Sequence, residues 1–107
     1  MASISIRHWD EERSGKLSLE AIRTLYQPVS RYRISEYRYA SGQVVGGSMR
    51  AATAYVLSGR CRLIAGGEAT LDKGDIADIS EGSYEIQVLG VLQLSIVFCW
   101  ELPAGID

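Results

Sequence analysis

The side chains best suited to metal binding or nucleophilic catalysis are scarce in this sequence. There is one histidine, His8, and there are two cysteines, Cys61 and Cys99, without the C-x-x-C spacing that zinc sites use. A single histidine excludes mechanisms that need two imidazoles, and its unpatterned surroundings favour neither a Ser-His-Asp nor a Cys-His arrangement. We interpret both cysteines as buried packing residues, since Cys99 lies in the apolar stretch IVFCW.

The composition is typical of one compact globular domain, since 47% of the 107 residues are hydrophobic and 22% are charged. The longest apolar run, residues 91–100, is interrupted by Gln93 and Ser95. It is shorter than the roughly 18 residues that a membrane-spanning segment needs. The N-terminal residues lack the basic start and the continuous apolar stretch of a secretory signal. We therefore expect a cytoplasmic protein that has no membrane partner.

Charge is distributed unevenly along the chain, although the net charge of -2 and the pI of about 5.4 argue against nucleic-acid binding. Residues 31–62 contain one acidic residue, Glu36, whereas residues 63–107 contain eight acidic residues and one lysine. The six arginines of the first region are Arg31, Arg33, Arg38, Arg50, Arg60 and Arg62. Neighbouring strands could neutralise one another by cross-strand ion pairs, or the arginines could form a basic face for an anionic ligand or an acidic protein partner.

The elements that must position these side chains are one helix followed by many strands. Ser18 can cap a helix that Pro28 ends, and the 3.6-residue period places four side chains on one face: Leu19, Ile22, Leu25 and Tyr26. From residue 31 onward the period becomes two and glycines recur between short apolar runs, which predicts six or more strands in an antiparallel sandwich or barrel. The stretch AYVLSGRCRL, residues 54–63, predicts a hairpin that turns at Gly59. We expect residues 1–30 to form a segment packed on a barrel of residues 31–107, in one domain.

The last two strands show the clearest alternation. Residues 84–89 and 92–101 each alternate between two sets of side chains, one of them strongly apolar. The apolar sets are Tyr84, Ile86 and Val88, and then Leu92, Leu94, Ile96, Phe98 and Trp100. We expect one face of each strand to pack in a core and the other to meet solvent or a polar cavity, and the alternation alone does not decide which is which.

Two stretches of the sequence resemble the paired motifs of the cupin superfamily. They are YVLSGR at residues 55–60 and LDKGDIADISEGSYE at residues 71–85, in which Gly59, Gly74 and Gly82 match the glycines of the motifs. The resemblance covers roughly residues 39–87. It implies an all-β fold, a small antiparallel jelly-roll barrel, here with one short N-terminal helix.

The resemblance also implies where a metal would be held, and the residues there are unsuitable. The positions of the four customary metal ligands fall on or near Gly46, Ser48, Ala52 and Glu85, of which only Glu85 carries a ligating carboxylate. Transition metals in such sites need imidazole nitrogens supported by a carboxylate. We therefore expect a barrel without a metal or other cofactor, and we do not carry over the dioxygenase and metal-dependent isomerase activities of the family.

The predicted site lies inside this barrel. Strand alternation combined with the resemblance predicts two inward-facing sets: Ser48, Arg50, Ala52, Ala54 and Val56, and then Ser83, Glu85, Gln87 and Leu89. Arg50 facing Glu85 could be a structural ion pair. Alternatively Arg50 binds a carboxylate or phosphate while Glu85 and Gln87 orient hydroxyl groups of the ligand. Tyr37 and Tyr39 could supply aromatic walls.

Three functions fit these residues. The first is a metal-free barrel that binds a small polar or anionic molecule. The second is a metal-independent enzyme of the isomerase, cyclase or nucleoside phosphorylase type, with Glu85 as the acid or base. The third is a protein-binding module, such as a toxin-neutralising or regulatory partner, that uses the arginines of residues 31–62. We also expect a homodimer, because the resemblance implies pairing through the sheets and because apolar strand faces within residues 92–100 would need cover.

Overall fold

The computed structural model describes residues 4–102, which form nine β-strands, two short α-helices and one 3-10 turn. In chain order the elements are β1 (Ser5–His8), α1 (Glu11–Ser14), α2 (Leu19–Leu25), the 3-10 turn (Val29–Arg31), β2 (Tyr32–Tyr39), β3 (Val44–Met49), β4 (Ala52–Ser58), β5 (Arg60–Ile64), β6 (Glu68–Asp72), β7 (Asp75–Ile79), β8 (Gly82–Leu89) and β9 (Leu94–Glu101). Residues 103–107 of the predicted barrel lie outside the described residues.

The strands form two antiparallel sheets. The first, called sheet A, has the order β1-β7-β4-β9-β2, and the second, called sheet B, has the order β3-β8-β5-β6. The chain passes repeatedly between the two sheets, so that strands adjacent in sequence often lie in different sheets. This is a small jelly roll, and the all-β antiparallel fold predicted from the sequence is confirmed. The prediction of a single helix is wrong, since α1 precedes α2.

The space between the sheets is filled by an apolar core. Strands of both sheets contribute alternate side chains to it, among them Val56 from β4, Leu63 from β5, Ile86 from β8 and Ile96 from β9, all fully buried. Cys61 belongs to the same core, and Cys99 is buried on the other side of sheet A, so the interpretation of both cysteines as buried packing residues is confirmed.

A second core lies on the outer face of sheet A. Helix α2 begins at its cap, Ser18, whose side chain accepts a hydrogen bond from the Ala21 amide, 3.1 Å away. Ile22 is fully buried against β4, β7 and β9, where its neighbours include Tyr55 and Val97. Leu25 does not join this face as predicted and is 55% exposed, because the helix ends there. Helix α2 thus covers the sheet mainly with Ile22, beside which Leu19 and Ala21 are partly buried.

Both faces of β9 are therefore apolar and covered, which corrects two expectations. Residues 94–99 are all buried, half of them on the face between the sheets and half on the α2 side, so neither face of this stretch meets solvent, although Phe98 and Trp100 at its end border a cavity between the sheets. These faces also cannot be the exposed apolar surface that led us to expect a homodimer. Val91 and Leu92, in the turn before β9, are exposed. The homodimer remains a prediction, without that argument.

The N-terminal stretch, which shows no pattern in the sequence, adds an edge strand. Strand β1 pairs with β7, and His8 lies opposite Asp75, with 3.0 Å between its Nδ1 and the Asp75 carboxylate. Trp9 follows and is buried, and its indole donates a hydrogen bond to the Gly15 carbonyl over 2.8 Å. One large aromatic side chain thus fixes the segment against sheet A, although its strand is too short and too polar to be recognised by alternation.

The predicted hairpin at Gly59 is wrong, since β4 belongs to sheet A and β5 to sheet B. Gly59 has a φ of +82°, and a Cβ placed on it would lie 2.6 Å from the carbonyl oxygen of Gln93. The glycine therefore turns a corner between sheets against a neighbouring backbone. A glycine between two short apolar runs is equally compatible with a hairpin and with such a corner.

No helix in residues 4–102 is long and apolar enough to cross a membrane.

Candidate functional site

A cavity of about 300 Å³ lies between the sheets, on the side where their edge strands β2 and β3 face each other. It is called the aromatic cavity below, because five of its eight lining residues carry aromatic rings. The lining residues are Tyr37, Tyr39, Ser48, Met49, Arg50, Tyr84, Phe98 and Trp100. Four of the residues predicted from the sequence are among them: Tyr37, Tyr39, Ser48 and Arg50.

Strand β2 supplies the two tyrosines because its alternate residues face inward. Tyr37 lies opposite Ile96 and Tyr39 opposite Leu94, both of which belong to the core between the sheets. The tyrosine rings are parallel, with 6.2 Å between their centres, and the Tyr37 ring lies 5.8 Å from that of Phe98. Burial raises the pKa of Tyr39, and the nearby Tyr84 and Tyr37 raise it further, so its hydroxyl is a neutral hydrogen-bonding group.

Glycines on β3 make room for the Tyr84 ring. A Cβ placed on Gly47 would lie 3.5 Å from Cε1 of Tyr84, at ordinary contact distance, and a Cβ on Gly46 would lie 3.0 Å from the Tyr84 carbonyl oxygen. The first shows that the ring lies against the bare backbone of Gly47, and the second shows that β3 and β8 approach closely at Gly46. The Tyr84 ring thus takes part of the space that these glycines leave.

Arg50 is exposed at the mouth of the cavity, in the connection between β3 and β4. It makes no ion pair within 4.0 Å with any residue in the described part of the chain. The structural pair with Glu85, which the sequence left open, does not form, since no ion pair within 4.0 Å joins the two side chains. A guanidinium without an internal partner at the entrance of a cavity is free to bind an anion.

Glu85 and Gln87 are not cavity residues. Ile86 and Val88, which alternate with them on β8, are buried in the core, so Glu85 and Gln87 lie on the outer face of sheet B. There the Gln87 side-chain amide donates to the Glu85 carboxylate over 2.6 Å. Burial of the apolar set decides which face is inward, and the assignment of Glu85 by family position gives the opposite result.

The other predicted inward residues divide between the two faces. Ala52, Ala54 and Val56 of β4 face the core as predicted. Ser83 alternates with Tyr84 and is exposed, and Leu89 lies on the same outer face. Ser48 and Arg50 do not continue the alternation of β4, because the chain leaves β3 at Met49 and enters β4 only at Ala52. Arg50 reaches the cavity from its mouth, and Ser48, which lies opposite the exposed Ser83, borders the cavity near the end of β3.

Four lining residues were not predicted as site residues: Met49, Tyr84, Phe98 and Trp100. A signal for three of them was present, since the sequence placed Tyr84 in one alternating apolar set and Phe98 and Trp100 in another. Choosing those sets as the inward ones would have found all three. Met49 had no comparable signal, because it is the last residue of its strand.

The residues of this chain do not fit the metal centre of the family. Three of the four corresponding positions carry no ligating side chain, and the fourth, Glu85, lies on the outer face of sheet B. Within residues 4–102 no group of three or more His, Cys, Asp or Glu side chains is arranged so that it could hold a metal ion. The donor set is therefore unsuitable for a transition metal, which requires several such ligands.

Cross-strand ion pairs neutralise part of the arginine-rich region. Arg60 lies 3.2 Å from the Asp72 carboxylate, and Arg62 pairs with Glu68, both between β5 and β6. On β2, Arg38 lies 3.2 Å from Glu36. A hydrogen bond from Ser95 and the adjacent Arg38 lower the pKa of Glu36. Arg31, Arg33 and Arg50 make no ion pair with the described residues, so part of the basic charge stays available.

Comparison with solved structures identifies the fold. A cupin 2 conserved barrel domain protein from Salinispora arenicola is 14% identical, with a TM-score of 0.61 over 94% of this chain and 77% of that chain. The cupin domain of an XRE family transcriptional regulator from Enterobacter cloacae is 13% identical, with a TM-score of 0.58 over 95% and 99%. A salicylate 1,2-dioxygenase from Pseudoaminobacter salicylatoxidans, in complex with gentisate, is 14% identical, with a TM-score of 0.56 over 91% and 24%.

No protein-family model and no curated protein matches the sequence. At these low identities the likeness shows the fold alone, and it shows it over nearly the whole chain. The chain has the cupin fold, and the resemblance drawn from its two motifs is confirmed.

Proposed function

We propose that this protein is a metal-free cupin-like barrel that binds a small polar or anionic molecule in the aromatic cavity. The observation that carries the proposal is the position of Arg50, which lines the cavity and has no ion-pair partner within 4.0 Å among the described residues. Arginine binds carboxylates and phosphates through two parallel hydrogen bonds. An anionic group on a ligand is therefore the complement that this entrance lacks.

The rest of the cavity suits a small ligand. A volume of about 300 Å³ is at the lower limit for small-molecule pockets, and the lining combines apolar rings with a few polar groups. The hydroxyls of Tyr37, Tyr39 and Tyr84 can exchange hydrogen bonds with the ligand. The aromatic rings exclude water from its body.

The alternatives are less well supported. The hypothesis of a metal-independent enzyme requires Glu85 as the acid or base. That side chain lies outside the barrel, where it accepts a hydrogen bond from Gln87. A protein-binding module was to use the arginines of residues 31–62, three of which are already paired with neighbouring carboxylates. Such paired arginines offer less net charge to an acidic partner.

The test combines elemental analysis with ligand-dependent melting. We expect the purified protein to contain no stoichiometric metal and to melt at a higher temperature with at least one member of a panel of small carboxylates and phosphates. Arg50→Ala should abolish the increase, whereas Arg13→Ala, which changes an exposed arginine on α1, should leave it intact. Stoichiometric metal, or a stabilising anion whose effect survives in Arg50→Ala, would contradict the proposal. The proposal would also be contradicted if no carboxylate or phosphate of the panel raised the melting temperature of the parent protein.

A further inference from the structure

A second recess adjoins the aromatic cavity at its mouth. This outer recess, of about 450 Å³, is lined by Ser48, Met49, Arg50, Glu81 and Gly82, and it shares the first three with the cavity. Met49 and Gly82 are the last paired residues of β3 and β8. Arg50 follows Met49 and Glu81 precedes Gly82, so in this antiparallel pair both residues lie just beyond the same end, and both line the recess. A cation that borders both spaces and an anion of the outer recess are therefore near each other at this end of sheet B.

These two charges do not satisfy each other. No ion pair within 4.0 Å joins Arg50 and Glu81, and neither makes one with any other residue of the described chain. Both side chains are exposed, so each retains its hydration and the separation costs little. The arrangement leaves one positive and one negative group available to the same ligand.

The interior of the cavity selects a different kind of group. Tyr37, Tyr39, Tyr84, Phe98 and Trp100 line it, and the stacked pair of tyrosines and the adjacent Phe98 present both ring faces and ring edges. Aromatic rings pack best with other aromatic rings, in offset or edge-to-face geometry. Such a lining favours a flat ring over a flexible aliphatic chain.

We propose that the ligand is a small aromatic zwitterion, with the chemistry of an aromatic α-amino acid. Its ring enters the aromatic cavity, its carboxylate binds Arg50 and its ammonium group binds Glu81. This assignment rests on the proposed function and deepens it, since it names the class of molecule bound at the same site. It also gives a role to Glu81, which the sequence did not single out.

Calorimetric titration of four probes tests the assignment. They are phenylalanine, 3-phenylpropanoate (which lacks the ammonium group), 2-phenylethylamine (which lacks the carboxylate) and leucine (which lacks the ring). We expect phenylalanine to bind at least tenfold more tightly than each of the others, because each probe leaves one part of the site unmatched.

Two variants assign the contacts. Glu81→Gln should weaken phenylalanine binding about tenfold and leave 3-phenylpropanoate binding unchanged, whereas Arg50→Ala should weaken both. Glu11→Gln, an exposed glutamate on α1, should change neither.

Several outcomes would overturn the assignment. If 3-phenylpropanoate binds as tightly as phenylalanine and Glu81→Gln does not change the affinity for phenylalanine, the ligand is an aromatic anion. The inference then fails while the proposed function stands. If leucine binds as tightly as phenylalanine, the cavity does not require an aromatic ring, and the inference fails. If no probe binds but another anion stabilises the protein through Arg50, only the inference fails. If no anion does so, the proposed function fails with it.

Discussion

Gly59 and Gly42 have nearly the same positive φ, +82° and +79°, in very different surroundings. A Cβ on Gly59 would lie 2.6 Å from the Gln93 carbonyl oxygen and 2.9 Å from the Leu94 Cα, both of which are backbone atoms. A Cβ on Gly42 would meet nothing within 4 Å. The pair therefore separates the cost of a left-handed conformation from the cost of a steric clash.

We predict that Gly42→Ala lowers the free energy of unfolding by about 1 kcal/mol, through backbone strain alone. Gly59→Ala should lower it by about 2 kcal/mol more, since a backbone atom must move to admit the new methyl group. Urea denaturation of the two variants and the parent protein measures both values. Equal losses in the two variants would show that the corner at Gly59 is less tightly packed than the structure indicates.

Helix α2 contributes to stability mainly through one side chain, that of Ile22. It has seven residues, too few to be stable alone, and its only buried side chain in the structure described here is that of Ile22. That side chain packs into the outer core of sheet A, whereas Leu25, one turn later, is 55% exposed.

We expect Ile22→Ala to lower the free energy of unfolding by about 3 kcal/mol, the usual cost of truncating a large buried aliphatic side chain. Leu25→Ala on the same helix should change it by less than about 0.5 kcal/mol, because little apolar area is lost and alanine favours the helix. Denaturant unfolding followed by circular dichroism compares the two. A loss below about 1 kcal/mol for Ile22→Ala would mean that α2 is not an integral layer.

The strands were predictable from alternation, and their arrangement was only partly so. The sequence shows the period of two on β8 and β9 because buried and exposed positions there differ in residue type. The sequence does not show that strand β3 ends at Met49, because Arg50 and Ala51 fit the alternating pattern well enough to hide the connection to β4. Nor does it show that β9 is covered on both faces, because the second cover, Ile22, comes from far along the chain.

The candidate site was predictable to the extent that it depends on single strands. Tyr37 and Tyr39 lie two residues apart on β2, so one correct choice of face places both in the cavity. Glu85 was misplaced by one residue of register, which exchanges the faces of a strand. Glu81 lies in a turn, and only the pairing of Met49 with Gly82 brings it beside Arg50.

At the scale of the whole molecule, weakly acidic groups are buried in both cores. Cys61 lies between the sheets and Cys99 lies under α2, and burial raises the pKa of each thiol from 9.0 to about 11. Burial also raises the pKa of Tyr26 and Tyr55, whose hydroxyl oxygens lie 2.7 Å apart in the outer core. In the unfolded chain all these groups return to their ordinary values.

Stability should therefore fall on the alkaline side. Between about pH 9 and pH 11 the unfolded chain loses its thiol protons while the folded protein keeps them, so ionisation favours the unfolded state as pH rises. Each thiol should lower the free energy of unfolding by about 1 kcal/mol by pH 10, and the buried tyrosines add to this loss, since about half of them are ionised at pH 10 in the unfolded chain. Urea denaturation at several pH values from about 8 to 10 measures the slope.

The control is the double variant Cys61→Ala and Cys99→Ala, which lacks both thiols. It should be less stable than the parent protein at every pH, because two buried side chains are truncated, and it should have a flatter slope over this pH range. The slope and the absolute stability are independent, so a destabilised variant still gives a clear answer. An unchanged slope would mean that the thiols ionise as readily in the folded protein as in the unfolded chain, and hence that the two cores admit water.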